Sequence, residues 1–596
     1  MFAVRSDKKQ KYYSKWRVIF ALFASLLGGL VCGLCSMYFA TSSYSLDMFL
    51  SYFYNPYIVL LNLLPPAVLA VVFYLIFNRA AWSYLLTNAV VISLTVVNYY
   101  KITFRGDAFI AEDFSLIKES ANMISTGYSL FIDTRIAAYL AVLVLGTVLL
   151  ATLVKGRIKG FWRRIATAIL IFALSFSALP LYASDDVYEQ KTANNALINE
   201  WSDTDKFISK GFVYPFLHSF KYAFDTPPEN YSEAEAAQIL ASYTDSGIPA
   251  DKAVNIVCVM LEAFNDFSRF EELEFTEDVY SKYRELENMG YRGTLVTDIF
   301  AGDTRISERE FLTGMPYGRI DNFVGKVNSY VWYLKENGYT VEGAHPCYAW
   351  FYNRQNINKN LGFDNYYFTE NYFKERTGGN ITWDGRFFPM LRDIYMNRDK
   401  SKPYFSFSVT YQGHGPYSDS IANFDHTYIN ASGVSSADEY IINNYLNAQA
   451  LTVDYLYTFV NEMLATNEPL VLVFFGDHKP WMGNGGETYG AFGINVDPST
   501  DEGFFNYYST RYLILANDAA KSVTGNPFRG RGQTMSVSFL MNKVFELCGY
   551  SGSEYMQFTK DIMKEGRVIH RSDIGTTEAS ALYDRVSYYY RKNFVY

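Results

Sequence analysis

Asp477 and His478 stand together where an apolar run stops, in the stretch VFFGDHKP from Val473 to Pro480. A carboxylate beside an imidazole can hold a divalent cation or exchange a proton; it can equally be a turn closed by a hydrogen-bonded histidine. Other apolar runs stop in the same way: AVNIVCVML leads into Glu262, YTVEGAH ends on His345, and PYFSFSVTYQG leads into His414. Three of the chain's six histidines follow such runs, which makes chance placement less comfortable. Oxygen and imidazole donors from Glu262, Asp477 and His478, without a thiolate, suit a borderline dication such as Mn²⁺ or Zn²⁺ and leave room for a substrate oxygen.

Covalent chemistry at such a centre needs a further group, and AGDTRISEREFLTGMP offers Thr304. Gly302 permits a tight approach, and Arg305 to Leu312 reads as a helix, so Thr304 falls at a helix N-terminus. Two readings stand side by side there. Thr304 is a plain N-cap, or it is a hydroxyl that a bound dication makes acidic enough to attack phosphorus, with the helix N-terminus stabilising an anionic substrate.

Strand ends can converge on one site only if the strands share a sheet. From about residue 251 to 596, short apolar runs (also YRGTLVTDIF, PLVLVFF and RYLILAN) alternate with helical stretches. That alternation predicts an α/β domain with a mostly parallel central sheet covered on both faces, and ligands of such sheets collect beyond the carboxyl ends of the strands. Residues 184–250 are polar and mixed, and DTPPENYSEAEAAQIL predicts a linker or stalk with a helix starting near Ser232.

Residues 1–183 hold five apolar segments, approximately Val18 to Ala40, Ile58 to Phe77, Ala81 to Val97, Ile136 to Val154 and Ile165 to Ala183, each near the ~20 residues that cross hydrocarbon. Pro65-Pro66 predicts a kink in the second. Arg5, Lys8, Lys9, Lys11, Lys15 and Arg17 precede the first segment, Arg79 follows the second, and Lys155, Arg157, Lys159, Arg163 and Arg164 follow the fourth. This bias places those loops inside and everything after Ala183 outside. In EDFSLIKESANMI, Phe114, Ile117 and Met123 have near-helical spacing, as in an interfacial helix or a solvated loop. Cys32 and Cys35 lie inside the first segment, where helix packing outweighs redox chemistry, and the other three cysteines form no disulfide framework. A net charge of −9 gives no basic surface for nucleic acid.

Taken together, NIVCVMLEAF around Glu262, AGDTRISEREFLTG around Thr304, YNRQNINKNLGFDNYYF around Arg354, VTYQGHGPY around His414 and FFGDHKP resemble, in order, the lipoteichoic acid synthase family. These are membrane-bound, sulfatase-like phosphoglycerol transferases of the alkaline phosphatase superfamily, and the five apolar segments match as well. The resemblance implies a five-helix transmembrane region followed by an extracellular sulfatase-like domain of a multi-pass protein in a bacterial, Gram-positive cell membrane. It implies one divalent ion, Mn²⁺ in the first place and Mg²⁺ or Zn²⁺ as alternatives, held by Glu262, Thr304, Asp477 and His478. Thr304 would be the nucleophile, Arg354 and His414 would contact the phosphoryl group, and His345 and Tyr352 would line the substrate pocket. The implied reaction moves phosphoglycerol from a phospholipid, phosphatidylglycerol in the first place, to a glycolipid or cell-wall glycan.

This chain also departs from that family. Cys347 replaces an aspartate and Tyr352 a tryptophan, while Met482 stands where the family has a serine. Those positions hold the glycerol hydroxyls, so the transferred group is open: phosphoethanolamine transfer or phosphodiester hydrolysis are the alternatives. A membrane-anchored binding or sensory protein is the non-catalytic one. A sulfatase proper needs Cys or Ser in a C/S-x-P-x-R segment, which TRISER lacks.

Overall fold

The six apolar runs of the C-terminal half are all strands, and a computed structural model shows how they are ordered. It describes residues 14–596 apart from 41–44, 106–107, 117–133, 199–202, 222–225, 321–322, 324, 421–425, 431–432 and 484–485. The chain forms two compact units, Met1–Asp225 and Thr226–Tyr596.

The second unit is built on one nine-stranded sheet. Its strands are β1 (Asn255–Leu261), β2 (Tyr291–Val296), β3 (Thr340–Ala344), β4 (Asn365–Tyr367), β5 (Tyr404–Val409), β6 (Leu470–Gly476), β7 (Ser509–Ala516), β8 (Gly530–Arg531) and β9 (Met535–Ser536). The order is β4-β3-β5-β1-β6-β7-β2-β8, with β9 also on β2. Strands β4, β3, β5, β1 and β6 are mutually parallel. Strand β7 runs against both β6 and β2, so β2 points the same way as β6. The carboxyl ends of β1, β2, β3, β5 and β6 therefore lie along one edge.

The strands are buried on both faces, and alternate residues feed two cores. Ile256, Cys258 and Met260 of β1 join Phe405, Phe407, Val471 and Val473 in one. Val257, Val259 and Leu261 join Tyr404, Leu472 and Phe474 in the other. The long helix Ser436–Leu464 covers the second face with Tyr445, Leu446, Leu456 and Phe459. It starts where the Ser435 hydroxyl accepts from the Asp438 N–H, with Asp438 and Glu439 in its first turn to meet the helix dipole.

Among the described residues of the first unit, five helices are long and apolar enough to cross a membrane: Lys15–Phe39, Pro56–Phe77, Ala80–Thr103, Thr134–Leu153 and Phe161–Ala183. Pro65 and Pro66 lie inside a helix that stays continuous around them. Arg5, Lys8, Lys9 and Lys11 of the basic N-terminal tail lie outside the described residues, as do Ile117 and Met123. Phe114 belongs to a short 3₁₀ helix, Ala111–Leu116, and its ring packs on Phe109 and Phe216.

The stretch expected as a stalk over residues 184–250 is divided between the two units. The physical reason in the first is Asn62, fully buried in the second apolar helix. Its Nδ2 donates to the carbonyls of Ile58 (2.8 Å) and Lys210 (2.7 Å), and its Oδ1 accepts from the N–H groups of Phe212 (3.2 Å) and Tyr214 (3.1 Å). These bonds tie the segment around Lys210 to the helix. Beyond it, the helix expected near Ser232 is Glu233–Leu240, capped by the Ser232 hydroxyl.

Candidate active site at the strand ends

Strand β6 ends on Gly476, and the next residue reaches across to β1. Asp477 Oδ1 accepts from the backbone N–H groups of Ala263 and His478, both at 2.8 Å. Its Oδ2 is buried and has no hydrogen-bond partner. Glu262, at the end of β1, is fixed by its own N–H donating to Thr410 Oγ1 at 2.9 Å, just beyond β5. His478 Nδ1 faces the Lys479 carbonyl at 2.8 Å, so Nδ1 carries the proton and Nε2 presents a lone pair. That Nε2 lies 3.3 Å from Asp477 Oδ2 and 3.7 Å from Glu262 Oε1.

Thr304 completes the group. Its Oγ1 is 3.4 Å from Glu262 Oε2 and 3.5 Å from His478 Nε2. Although Thr304 occupies the N-cap position of the helix Arg305–Thr313, its side chain makes no capping bond. The hydroxyl is turned away from the helix toward the acids. The tight approach expected from Gly302 is made differently: Ala301 (φ 63°) and Asp303 (φ 62°) take the left-handed conformation on either side of it. Two non-glycine residues in that region store strain of order 1–3 kcal/mol each, a cost met where surrounding structure over-determines the loop. Ala301 N–H donates to the Lys479 carbonyl, and Ser307 Oγ donates to the Asp477 carbonyl at 2.7 Å, so loop and ligand segment hold each other.

These four residues fit a divalent ion. Groups sharing one ion at bonds of about 2.0–2.2 Å in a tetrahedral arrangement sit about 3.3–3.6 Å apart, close to the separations here and longer than a good hydroxyl hydrogen bond. Burial, with the Asp477 charge beside it, pushes the Glu262 carboxyl up to about 8. Arg354 is the nearby fixed cation, and it leaves two buried carboxylates with an orphaned oxygen between them; a dication would supply the further positive charge.

Arg354 lies beside this group. Only 2% exposed, it donates from Nε to Glu308 Oε2 at 2.9 Å, while its Nη1 is buried without a partner. The surface salt bridge that would be the plain reading of this arginine is thus a buried one, with a free donor left over. Tyr352 is left-handed (φ 55°), and the guanidinium sits 5.1 Å from its ring centroid. His345 follows β3 directly, with Nδ1 on the Val409 carbonyl (3.2 Å) and a buried Nε2 that has no partner. Burial holds its imidazole well below the usual histidine range, so it stays neutral. Gly413 brings His414 in: a side chain at 413 would strike the Glu262 carbonyl at 2.1 Å. His414 Nδ1 is 2.5 Å from the Gly415 carbonyl, which leaves Nε2 available, and its ring stacks on Tyr411 at 4.6 Å. Cys347 is buried, and Met482 is packed into an apolar core.

Glu308 was not among the sequence-derived candidates, nor were Thr410, Ser307 and Lys479. Lys479 is buried, donates to Asn265 Oδ1 at 3.0 Å, and is pushed down to about 7 by burial. Its place inside GDHKP was the one available signal.

Comparison with known proteins agrees with the sheet. Residues 254–550 match the Sulfatase family model. A protein of Rhizobium meliloti (strain 1021) named for cyclic beta-1,2-glucan modification is 26% identical over 384 residues, 62% of this chain and 57% of that protein. The chain thus spans little more than half the length of this curated relative. The Streptococcus pyogenes phosphoglycerol transferase GacH, solved with sn-glycerol-1-phosphate, is 18% identical, covering 61% of this chain and 94% of its own at a TM-score of 0.48. The integral membrane lipooligosaccharide phosphoethanolamine transferase A of Neisseria meningitidis is 12% identical, covering 90% of this chain and 96% of its own at a TM-score of 0.41. With the match running from the residue before β1 to the far side of β9, the five apolar helices are followed in the chain by a sulfatase-like domain.

Proposed function

We propose that the protein is a metal-dependent phosphotransferase that moves a phospho-head-group, phosphoglycerol in the first place, from a membrane phospholipid to a glycan through Thr304. The observation that carries this reading is the Thr304 hydroxyl, released from capping and set 3.4 Å from Glu262 and 3.5 Å from His478, in a group whose Glu262 feels the charge of Arg354, a buried arginine with a donor that has no partner. A divalent ion, Mn²⁺ in the first place, held by Glu262, Thr304, Asp477 and His478 would make that hydroxyl more acidic and neutralise phosphoryl charge.

Within the chain the steps are these. Thr304 Oγ1 passes its proton toward Glu262 Oε2 and bonds to phosphorus; the bond from phosphorus to the diacylglycerol oxygen breaks, and diacylglycerol leaves carrying a proton. Arg354 Nη1 donates to the phosphoryl oxygens as their charge rises. His414 Nε2 exchanges protons with the oxygens that leave and enter. His345 Nε2 offers a lone pair to a head-group hydroxyl or ammonium, and Tyr352 supplies a wall.

Phosphoethanolamine transfer is the second reading, favoured by one observation: Met482 is packed in the core and Cys347 is buried, so neither reproduces the glycerol-binding positions of the lipoteichoic acid synthases. The glucan named in the Rhizobium relative makes a β-glucan the first acceptor to test. The Lys/Arg bias places the catalytic unit outside the cell.

Incubation with labelled phosphatidylglycerol and phosphatidylethanolamine separates the readings by product, and protease added to intact cells should abolish the product. Thr304→Ala should lower turnover about 10³-fold or more. Quenched wild-type protein should carry the head-group mass on the Thr304 peptide. Turnover by the alanine variant at normal metal content would leave direct transfer or hydrolysis by water instead.

A further inference from the structure

A groove of about 890 Å³ opens beside His414 and is lined by Trp383, Tyr455, Thr382, Gln412 and Asn444 among others. Two of its rings are held out to solvent: Trp383 is 52% exposed and Tyr455 37%. Trp383 stands at the N-cap position of the helix Asp384–Met396, where its side chain makes no capping bond, and the Tyr455 ring lies against the first turn of that helix because residue 385 is glycine; a side chain there would meet the ring at 2.7 Å. From Trp383 the rings continue inward, with Tyr411 at 6.0 Å and His414 stacked 4.6 Å beyond it. One end of the groove is thus exposed aromatic surface and the other is a residue of the candidate active site.

The lining chemistry selects among ligands. Apart from His414, Arg386 is the single charged residue of the lining among the described residues; the rest are hydroxyls, amides and apolar or aromatic groups. A second groove of about 660 Å³ is different, lined by Lys326, Lys335 and Lys359 with Asp364 and Glu370. A chain of phosphates would seek several cations. A sugar ring presents an apolar C–H face and a rim of hydroxyls, the match for an exposed indole bordered by amides and hydroxyls.

We propose that the Trp383–Tyr455 groove is the acceptor subsite of this protein and that it binds a neutral oligosaccharide. The inference rests on the transfer reading of the same site. A sugar hydroxyl at the inner end, next to His414, attacks the phosphorus held by Thr304. The new O–P bond forms and the Thr304 Oγ1–P bond breaks; His414 Nε2 takes the proton lost by the sugar, and Glu262 Oε2 returns to Thr304 Oγ1 the proton it took in the first step.

The test is a titration of the detergent-solubilised full chain with a short linear β-1,2-glucan, in the absence of phospholipid, with a glycerol-phosphate oligomer as competitor. The wild type should bind the glucan in preference to the oligomer. Trp383→Ala should weaken binding about tenfold, the scale of one lost stacked ring, and Trp383→Phe by less. Tyr455→Ala, on a different helix, repeats the test if Trp383→Ala does not fold. Equal binding by these variants and the wild type, or preference for the glycerol-phosphate oligomer, overturns the proposal. Because the titration reads binding and the labelled-phospholipid incubation reads turnover, the two inferences fail separately: glucan binding without phospholipid cleavage sinks the transfer reading, and cleavage without glucan binding sinks the groove.

Discussion

Two sets of buried polar groups, one in each unit, are treated in opposite ways. Asn62, in the apolar helical unit, spends both ends of its amide on two carbonyls and two N–H groups. In the sheet unit, Asp477 Oδ2, Arg354 Nη1 and His345 Nε2 are as deeply buried and have no partner. Leaving a buried polar group unpaired costs about 1–3 kcal/mol, so the first arrangement holds structure while the second holds places for something else. The difference separates a polar residue that is part of the fold from one that is part of a site, although both look alike in a burial profile.

The strongest way to break this contrast is to remove a group that faces the unpartnered set, such as His478, whose Nε2 lies 3.3 Å from Asp477 Oδ2. His478→Ala takes away the imidazole lone pair, and Mn²⁺ affinity should fall about 100-fold or more while the metal-free protein unfolds at an unchanged temperature. Metal titration with thermal unfolding checks both halves. Wild-type affinity would show that these residues do not form a metal site.

Removing a partnered group should do the reverse. Asn62→Leu leaves the N–H groups of Phe212 and Tyr214 and the Lys210 carbonyl unpaired, which should destabilise the helical unit by about 2–4 kcal/mol and leave metal affinity as it is. Thermal unfolding in detergent reads the first and metal titration the second. A variant as stable as the wild type would mean that the segment around Lys210 is held by its apolar contacts alone.

Asp384 sharpens the comparison because it is half of each kind. Its Oδ2 accepts from Thr452 Oγ1 at 2.8 Å, while Oδ1 has no partner, and burial pushes its carboxyl up to about 7. A carboxyl raised on folding favours the folded state at low pH, and the advantage is lost as pH rises from the ordinary carboxylate range to about 7. Asp384→Asn keeps an acceptor for Thr452 without the charge. It should stabilise the protein at pH 8 by about 1–2 kcal/mol, with the gain shrinking toward pH 5. A gain independent of pH would place its origin elsewhere.

Much of this was legible in the sequence because strands announce both themselves and their ends. Glu262, His345, His414 and the Asp477-His478 pair all follow apolar runs, and a parallel sheet gathers such ends on one edge. What was not legible depended on contacts across the chain. Glu308 reads as an ordinary helix charge, since its partner Arg354 is 46 residues on. The residues after Ala183 read as a polar stalk because nothing in their own composition points to Asn62, 148 residues before Lys210. The turn before Thr304 drew attention to Gly302, the residue best suited to left-handed backbone, whereas its neighbours take that conformation. Local preference was overridden there by the bonds that tie the loop to the ligand segment, Ala301 N–H to the Lys479 carbonyl and Ser307 Oγ to the Asp477 carbonyl.

The bond from Ala263 N–H to Asp477 Oδ1 spans 214 positions of chain, and it closes the candidate centre. Contacts so distant in sequence form late, after the loop-closure entropy of the intervening segments has been met. A chain emerging from its amino terminus therefore carries Glu262 and Thr304 for a long interval with no Asp477 or His478 to join them. The candidate centre is incomplete in every shorter stretch of chain and closes when β6 docks between β1 and β7.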